Sequence, residues 1–175
     1  MACAASTRVR SKRAERMPER RRGGAGISRV GLISDTHGLL RAEAVRALAG
    51  SELIVHAGDV GKAEVLEALR RVAPVIAVRG NVDHGAWAEA LPERVTVEPG
   101  IFVLHDVKSS AIPAGVRAVV SGHSHQVKVE EYGGVLYVNP GAAGPRRFRL
   151  PVTVARLFVP EWRVEVVELV VPRPQ

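Results

Sequence analysis

The chain has 175 residues, 46% of them hydrophobic but only 4% aromatic, with a formal net charge of +7. That length supports one globular domain with a buried core and leaves little room for a second. Cys3 is the only cysteine, which excludes an intrachain disulfide and fits a reducing, cytoplasmic setting. No apolar run approaches the roughly 18 residues that a membrane span needs.

The charge is unevenly placed. Residues 1–29 hold nine Arg or Lys against Glu15 and Glu19, which accounts for the whole +7, and the remaining body balances 16 basic with 16 acidic groups. A neutral body with few aromatics offers no base-stacking platform and speaks against specific nucleic-acid binding. The basic leader over 1–28 lacks the apolar stretch of a secretory signal and is expected to be disordered. Arg22 to Gly26 reads as a flexible joint, followed by a single domain over 29–172.

Within that domain, Val30–Ser34 is a short apolar strand. Arg41–Ala49 has helical spacing, with Ala44, Val45 and Leu48 on one side. Leu53–His56 is a second strand. Lys62–Val72 is a second helix, with Val65, Leu66 and Leu69 inward. Val75–Val78 is a third strand. This β-α-β-α-β order implies a parallel sheet with crossover helices. Asp83–Ala90 suits a short helix. Arg94–Glu98 and Ile101–Leu104 then flank a Pro99-Gly100 turn, Ala118–Val120 is a short strand, and Lys128–Glu131 and Val135–Val138 flank Gly133-Gly134 as a hairpin. Val152–Phe158 and Arg163–Leu169 alternate with period two around Pro160-Glu161. The C-terminal half is therefore expected to be strand-rich and largely antiparallel.

The chemistry sits where the apolar runs stop. The first strand runs into Asp35-Thr36-His37-Gly38, the second into Gly58-Asp59, and the third into Gly80-Asn81-Val82-Asp83. Leu104 is followed by His105, and Val120 soon by Gly122-His123-Ser124-His125. Ligands of open α/β sheets bind beyond the carboxyl ends of strands, so these five tips can converge. Taken singly, each has a plainer reading: Asp-X-His as a turn, Gly-Asp and Gly-Asn as loop punctuation, a lone His as a satisfied structural residue. His-X-His at extended spacing is stronger, because both rings point the same way. Together they read as one metal site.

As a set, these residues resemble the calcineurin-like metallophosphoesterase superfamily. The compact size, the Asp35-Thr36-His37-Gly38 form and Asn139-Pro140-Gly141 are similar to its small YfcE-type phosphodiesterase branch. The resemblance implies a four-layer α/β/β/α sandwich of two mixed sheets flanked by helices. It implies two divalent metal ions, Mn²⁺ first, with Ni²⁺, Fe²⁺, Zn²⁺ or Mg²⁺ as alternatives. Asp35, His37, Asp59 and His125 would hold the first ion; Asp59, Asn81, His105 and His123 would hold the second. The activity implied is hydrolysis of small or exposed phosphodiesters, with a metal-bridging hydroxide as nucleophile. Two cations against Asp35, Asp59 and a hydroxide leave the site positive, which attracts a phosphate. The other readings are a phosphomonoesterase on the same site, and a non-catalytic interaction scaffold like the retromer subunit of this fold. A homo-oligomer is compatible with either.

The sequence departs from the family pattern at two places. Many superfamily members have Gly-Asn-His, whereas Val82 stands here, which leaves His84 as the candidate for leaving-group or phosphate contact. Relatives usually have Gly after the second-site His, whereas Asp106 follows His105. Asn81 and Asn139 are candidate substrate contacts. His56 is expected to be buried or to support a ligand, and Asp83 to fix the Asn81 loop.

Overall fold

A computed structural model describes residues 8–11, 26–147 and 149–171. Two mixed β-sheets face one another, with few helices. Strand β1 is Arg8–Ser11, β2 Arg29–Ile33, β3 Leu53–His56, β4 Val75–Ala77, β5 Arg94–Val97 and β6 Ile101–Leu104. Then follow β7 Ala118–Val120, β8 Lys128–Tyr132, β9 Val135–Asn139, β10 Thr153–Phe158 and β11 Arg163–Glu168. The first sheet has the order β1-β11-β10-β2-β3-β4 and the second β5-β6-β7-β9-β8.

In the first sheet β2, β3 and β4 are parallel, as the crossover helices require. Helix α1 is Ala42–Leu48 and α2 is Ala63–Arg70. Val65, Leu66 and Leu69 of α2 are buried as their spacing predicts. On α1 the buried residues are Ala44, Ala47 and Leu48, while Val45 is half-buried. These side chains pack on the outer face of the sheet with Ile33, Ile54 and Val154. The opposite face turns Leu32, Val55 and Leu157 toward Val103, Val120 and Val138 of the second sheet, forming the central core. Burial of both faces of β2 and β3 is why they read as continuous apolar runs.

In the second sheet β6, β7 and β9 are parallel to one another, so the antiparallel pairing expected of the C-terminal half holds for the edge strands β5 and β8 and for the last hairpin but not for this central trio. The β10–β11 hairpin joins the first sheet, with β10 antiparallel to β2. The outer cover of the second sheet is thin: Phe102, Leu104 and Val119 lie under Val116 and Ile112, in a segment whose one regular turn is the 3₁₀ helix Val107–Ser109. Helix α3, Ala86–Glu89, is a single turn. Of the leader, Arg8–Ser11 pairs along β11, and residues 1–7 and 12–25 lie outside the described residues. No helix among the described residues is long and apolar enough to cross a membrane.

Candidate metal centre

The loops after β2, β3, β4, β6 and β7 meet at one end of the sandwich, and hydrogen bonds tie them together. The N–H groups of Asp35, His37 and Gly38 donate to the carbonyls of Gly58, Asp59 and Val60 at 3.0, 3.0 and 2.7 Å. Asp83 accepts from Val60 N–H, Gly80 N–H and Gly61 N–H at 3.1, 2.8 and 2.7 Å, and so joins the second loop to the third. Gly122 N–H donates to the carbonyl of His105 at 2.9 Å.

Two glycines allow this close approach. A Cβ on Gly80 would collide with Asp59, and one on Gly122 would sit on the Ser34 hydroxyl and 2.7 Å from Asp35 Oδ2. Backbone strain is concentrated at the same place. Among the described residues, Asp35, His37, Asp59, His123 and His125 adopt left-handed φ of 46–67°, and Trp162 is the one other non-glycine residue with positive φ. Such conformations cost on the order of 1 kcal/mol or more each and persist where the surroundings over-determine them.

All seven predicted ligands come together, in two groups. In the first, Asp35 Oδ1 lies 3.3 Å from His125 Nε2 and 4.0 Å from His37 Nε2, and the two imidazole nitrogens are 3.4 Å apart. Asp59 Oδ2 closes this group at 3.9 Å from His37 Nε2. In the second, His105 Nε2 is 3.0 Å from Asn81 Oδ1 and 3.3 Å from Asp59 Oδ1, and His123 Nδ1 is 3.1 Å from Asn81 Oδ1. One oxygen of Asp59 thus faces each group.

The donor chemistry fits a cation in each. Atoms sharing one ion at bonds of about 2.1 Å stand about 3–4 Å apart, as these do. Asp35 Oδ1 and His125 Nδ1 are buried without a hydrogen-bond partner among the described residues. His105 Nδ1 donates to the carbonyl of Ala57 at 2.7 Å, so a neutral ring points its Nε2 lone pair at two oxygen acceptors. Facing acceptors repel unless a proton or a metal lies among them.

Ionisation follows from the same geometry. Burial pushes the Asp35 carboxyl up to about 6, against the stabilising Ser34 hydroxyl. Burial would also raise Asp59, but hydrogen bonds from His105 and from Val82 N–H outweigh it and hold the group at about 2. Burial, then the positive charge of Arg147, lowers His125 to about 4; burial lowers His37 as well, partly opposed by Asp59. Burial acts to lower His105, yet Asp59 and the Ala57 carbonyl raise it overall.

Other candidates fall in varied places. His84 is exposed and lines a cavity beside Asn81, His105 and His123. Asn139 does not face that cavity: it is buried, donates to the Gly122 carbonyl at 2.6 Å and the Ser124 hydroxyl at 3.1 Å, and accepts from Gly141 N–H at 2.9 Å. Its amide is spent on bracing the His123–His125 loop, which corrects the expectation of substrate contact. His56 is fully buried. It accepts from Gly58 N–H on Nδ1 at 3.2 Å, and its Nε2 donates to the Thr36 hydroxyl at 2.9 Å, which donates on to the Val60 carbonyl at 2.9 Å. Thr36 was not singled out in the sequence; nothing distinguishes it from an ordinary turn residue until the fold sets it against His56.

A mixed two-sheet sandwich with paired His, Asp and Asn clusters at its strand tips defines the metallophosphoesterase class. Residues 29–161 match the calcineurin-like phosphoesterase superfamily domain, and the chain belongs to that superfamily. It is 30% identical over 141 residues to a probable metallophosphoesterase of Methanocaldococcus jannaschii, covering 67% of this chain and 69% of that one. Among solved structures it resembles an archaeal phosphodiesterase at 25% identity and TM-score 0.67, covering 79% of this chain and 99% of the other. It also resembles the phosphoesterase YfcE of E. coli at 26% identity and TM-score 0.59, covering 74% and 87%. Vps29 of Entamoeba histolytica in complex with Zn²⁺ shares the fold at 21% identity and TM-score 0.64, covering 83% and 94%. The superfamily hydrolyses phosphoric esters with divalent metals, and candidate ligands for them are present here.

Proposed function

We propose that this protein is a phosphodiesterase acting on small or exposed phosphodiesters, within one domain spanning 29–172. Asp35, His37, Asp59 and His125 would hold one divalent cation, and Asp59, Asn81, His105 and His123 the other, with Mn²⁺ the first choice. The observation that carries this reading is the split of the Asp59 carboxylate, one oxygen toward each donor group. Two bound cations supply Lewis-acid stabilisation of the phosphoryl oxygens and acidify the attacking water.

The chain's own residues do the remaining work. His37 and His125 are held neutral with converging Nε2 atoms. His105 is fixed in one tautomer by Ala57. His84 lines the cavity wall, and its role would be contact with the phosphate or the departing alcohol. Similarity to the archaeal phosphodiesterase supports diesters over monoesters.

The test uses metal-stripped protein reloaded with Mn²⁺ and assayed on bis-nitrophenyl and mono-nitrophenyl phosphate. Faster turnover of the diester is expected. The reverse order identifies a monoesterase, and silence on both from folded, metal-loaded protein favours the scaffold reading, to which the Vps29 fold likeness lends support. His84→Ala should slow esters with poor leaving groups more than nitrophenyl esters.

A further inference from the structure

Thr36 stands between two candidate ligands, Asp35 and His37, whose backbones are left-handed with φ of 53° and 46°. Gly58 precedes a third, Asp59, with φ of 54°. Backbone of this kind holds only where its neighbours over-determine it. The N–H groups of Asp35 and His37 bind the carbonyls of Gly58 and Asp59. Between those two rungs the Thr36 side chain is fully buried. Its hydroxyl donates to the Val60 carbonyl, just beyond Asp59, and accepts from His56 Nε2, each at 2.9 Å. The other ring nitrogen of His56 accepts from Gly58 N–H at 3.2 Å, just before Asp59. The run Gly58, His56, Thr36, Val60 thus brackets Asp59 on one loop and reaches between Asp35 and His37 on the other. From the opposite side Gly144 backs the same residue, since a Cβ there would collide with the Thr36 carbonyl.

Packing alone does not call for these groups. His56 ends a strand whose other residues, Leu53, Ile54 and Val55, are apolar and buried. Burying a polar ring costs free energy that its hydrogen bonds offset only in part, and an apolar side chain of that size would fill the space without the cost. What the imidazole and the hydroxyl add is direction, because a fully satisfied buried network is rigid.

We infer that Thr36 and His56 are positioning residues for the metal centre, holding the Asp35–His37 loop at a fixed spacing from Asp59 so that both loops reach the first cation. The inference rests on the two-cation reading. Neither side chain touches a cation or the substrate. Without the hydroxyl, the loop is free to relax its two left-handed residues, and binding of the first cation must restore them. The second group draws on Asn81, His105 and His123 besides Asp59, so it depends less on this strut.

The experiment titrates metal-stripped protein with Mn²⁺ by calorimetry and records a denaturant midpoint for each variant. Wild type should take up two ions. Thr36→Val, which keeps the shape and loses the hydroxyl, should weaken one site about tenfold or more and leave the other within about threefold. Thr36→Ser, which restores the hydroxyl, should recover most of that loss. Val164→Ala, in the central core, should lower the midpoint and leave both affinities as they are. If Thr36→Val does not fold, His56→Asn carries the same test, because its amide can still accept from Gly58 N–H but falls short of Thr36. Unchanged affinity in the folded variant, no recovery in Thr36→Ser, or an equal loss in Val164→Ala overturns the inference and leaves the two-cation reading standing. Wild-type protein that binds no Mn²⁺ sinks both.

Discussion

His105 Nδ1 lies 2.7 Å from the carbonyl oxygen of Ala57, and this bond directs the other ring nitrogen at Asp59 and Asn81. Without a metal, a proton on that nitrogen would serve both oxygens, and a metal would have to displace it.

Metal affinity should therefore weaken as pH falls. Protons occupy Asp35 below about 6 and His105 below its raised value, and both must leave when a cation binds. Between about pH 7.5 and 5.5 the apparent Kd for Mn²⁺ should rise by roughly one to two orders of magnitude, about tenfold per unit for each competing proton. Calorimetric titration across that range checks it, and a flat profile would contradict the donor assignment.

Asp35→Asn should stabilise the metal-free protein while weakening its response to metal. A carboxyl raised from 3.8 to about 6 favours the fold fully only below about pH 4, and that stability is lost as pH rises through 6. At neutral pH the buried charge costs about 3 kcal/mol, an amount the neutral amide avoids. Thermal melts at pH 7.5 should show a higher Tm for the variant without Mn²⁺ and a smaller further rise with it than wild type shows. Wild type should gain from Mn²⁺.

His56 should produce the opposite slope. Burial lowers its pKa to about 4, so it is neutral in the fold, and as pH falls from 6.5 toward 4 the unfolded chain takes up the proton first. Stability should drop by up to about 3 kcal/mol over that window. Denaturant melts in the Asp35→Asn background remove the opposing slope and leave His56 with His37 and His125, which burial also lowers. Replacing His56 with Gln there should reduce the slope, and an unchanged slope would assign it to His37 and His125 alone.

Gly122→Ala should cost the site more than the fold. Its Cβ would press on Ser34 and Asp35 Oδ2, displacing the ligand loop after β2. Elemental analysis after reconstitution should find fewer than two ions per chain, and diester turnover should fall by on the order of 10²-fold or more. Full occupancy in this variant would show that the loops yield without harm.

Much of this centre was legible because each ligand terminates its own apolar run, and parallel strands bring their ends to one edge. Asp35, Asp59 and Asn81 could be placed from the β-α-β-α-β order alone. The partner of the last hairpin could not, since alternation in Thr153–Phe158 says that one face is buried but not against what. Ile101–Leu104 and Ala118–Val120 did hold a clue to their parallel pairing, because both are buried throughout. Asn139 misled for a different reason: a polar residue beside a turn looks alike whether its amide faces substrate or binds a neighbouring carbonyl. The left-handed backbone at five candidate ligands leaves only a faint mark in residue type, since Asp and His tolerate it better than most residues but glycine is the usual choice.

Those five strained positions also bear on what the centre costs the fold. Swapping His37 or His123 for glycine would relax torsional cost at the expense of ring contacts with His125 and His105. The fold thus carries a torsional cost at these five positions that donor geometry, and not packing alone, accounts for.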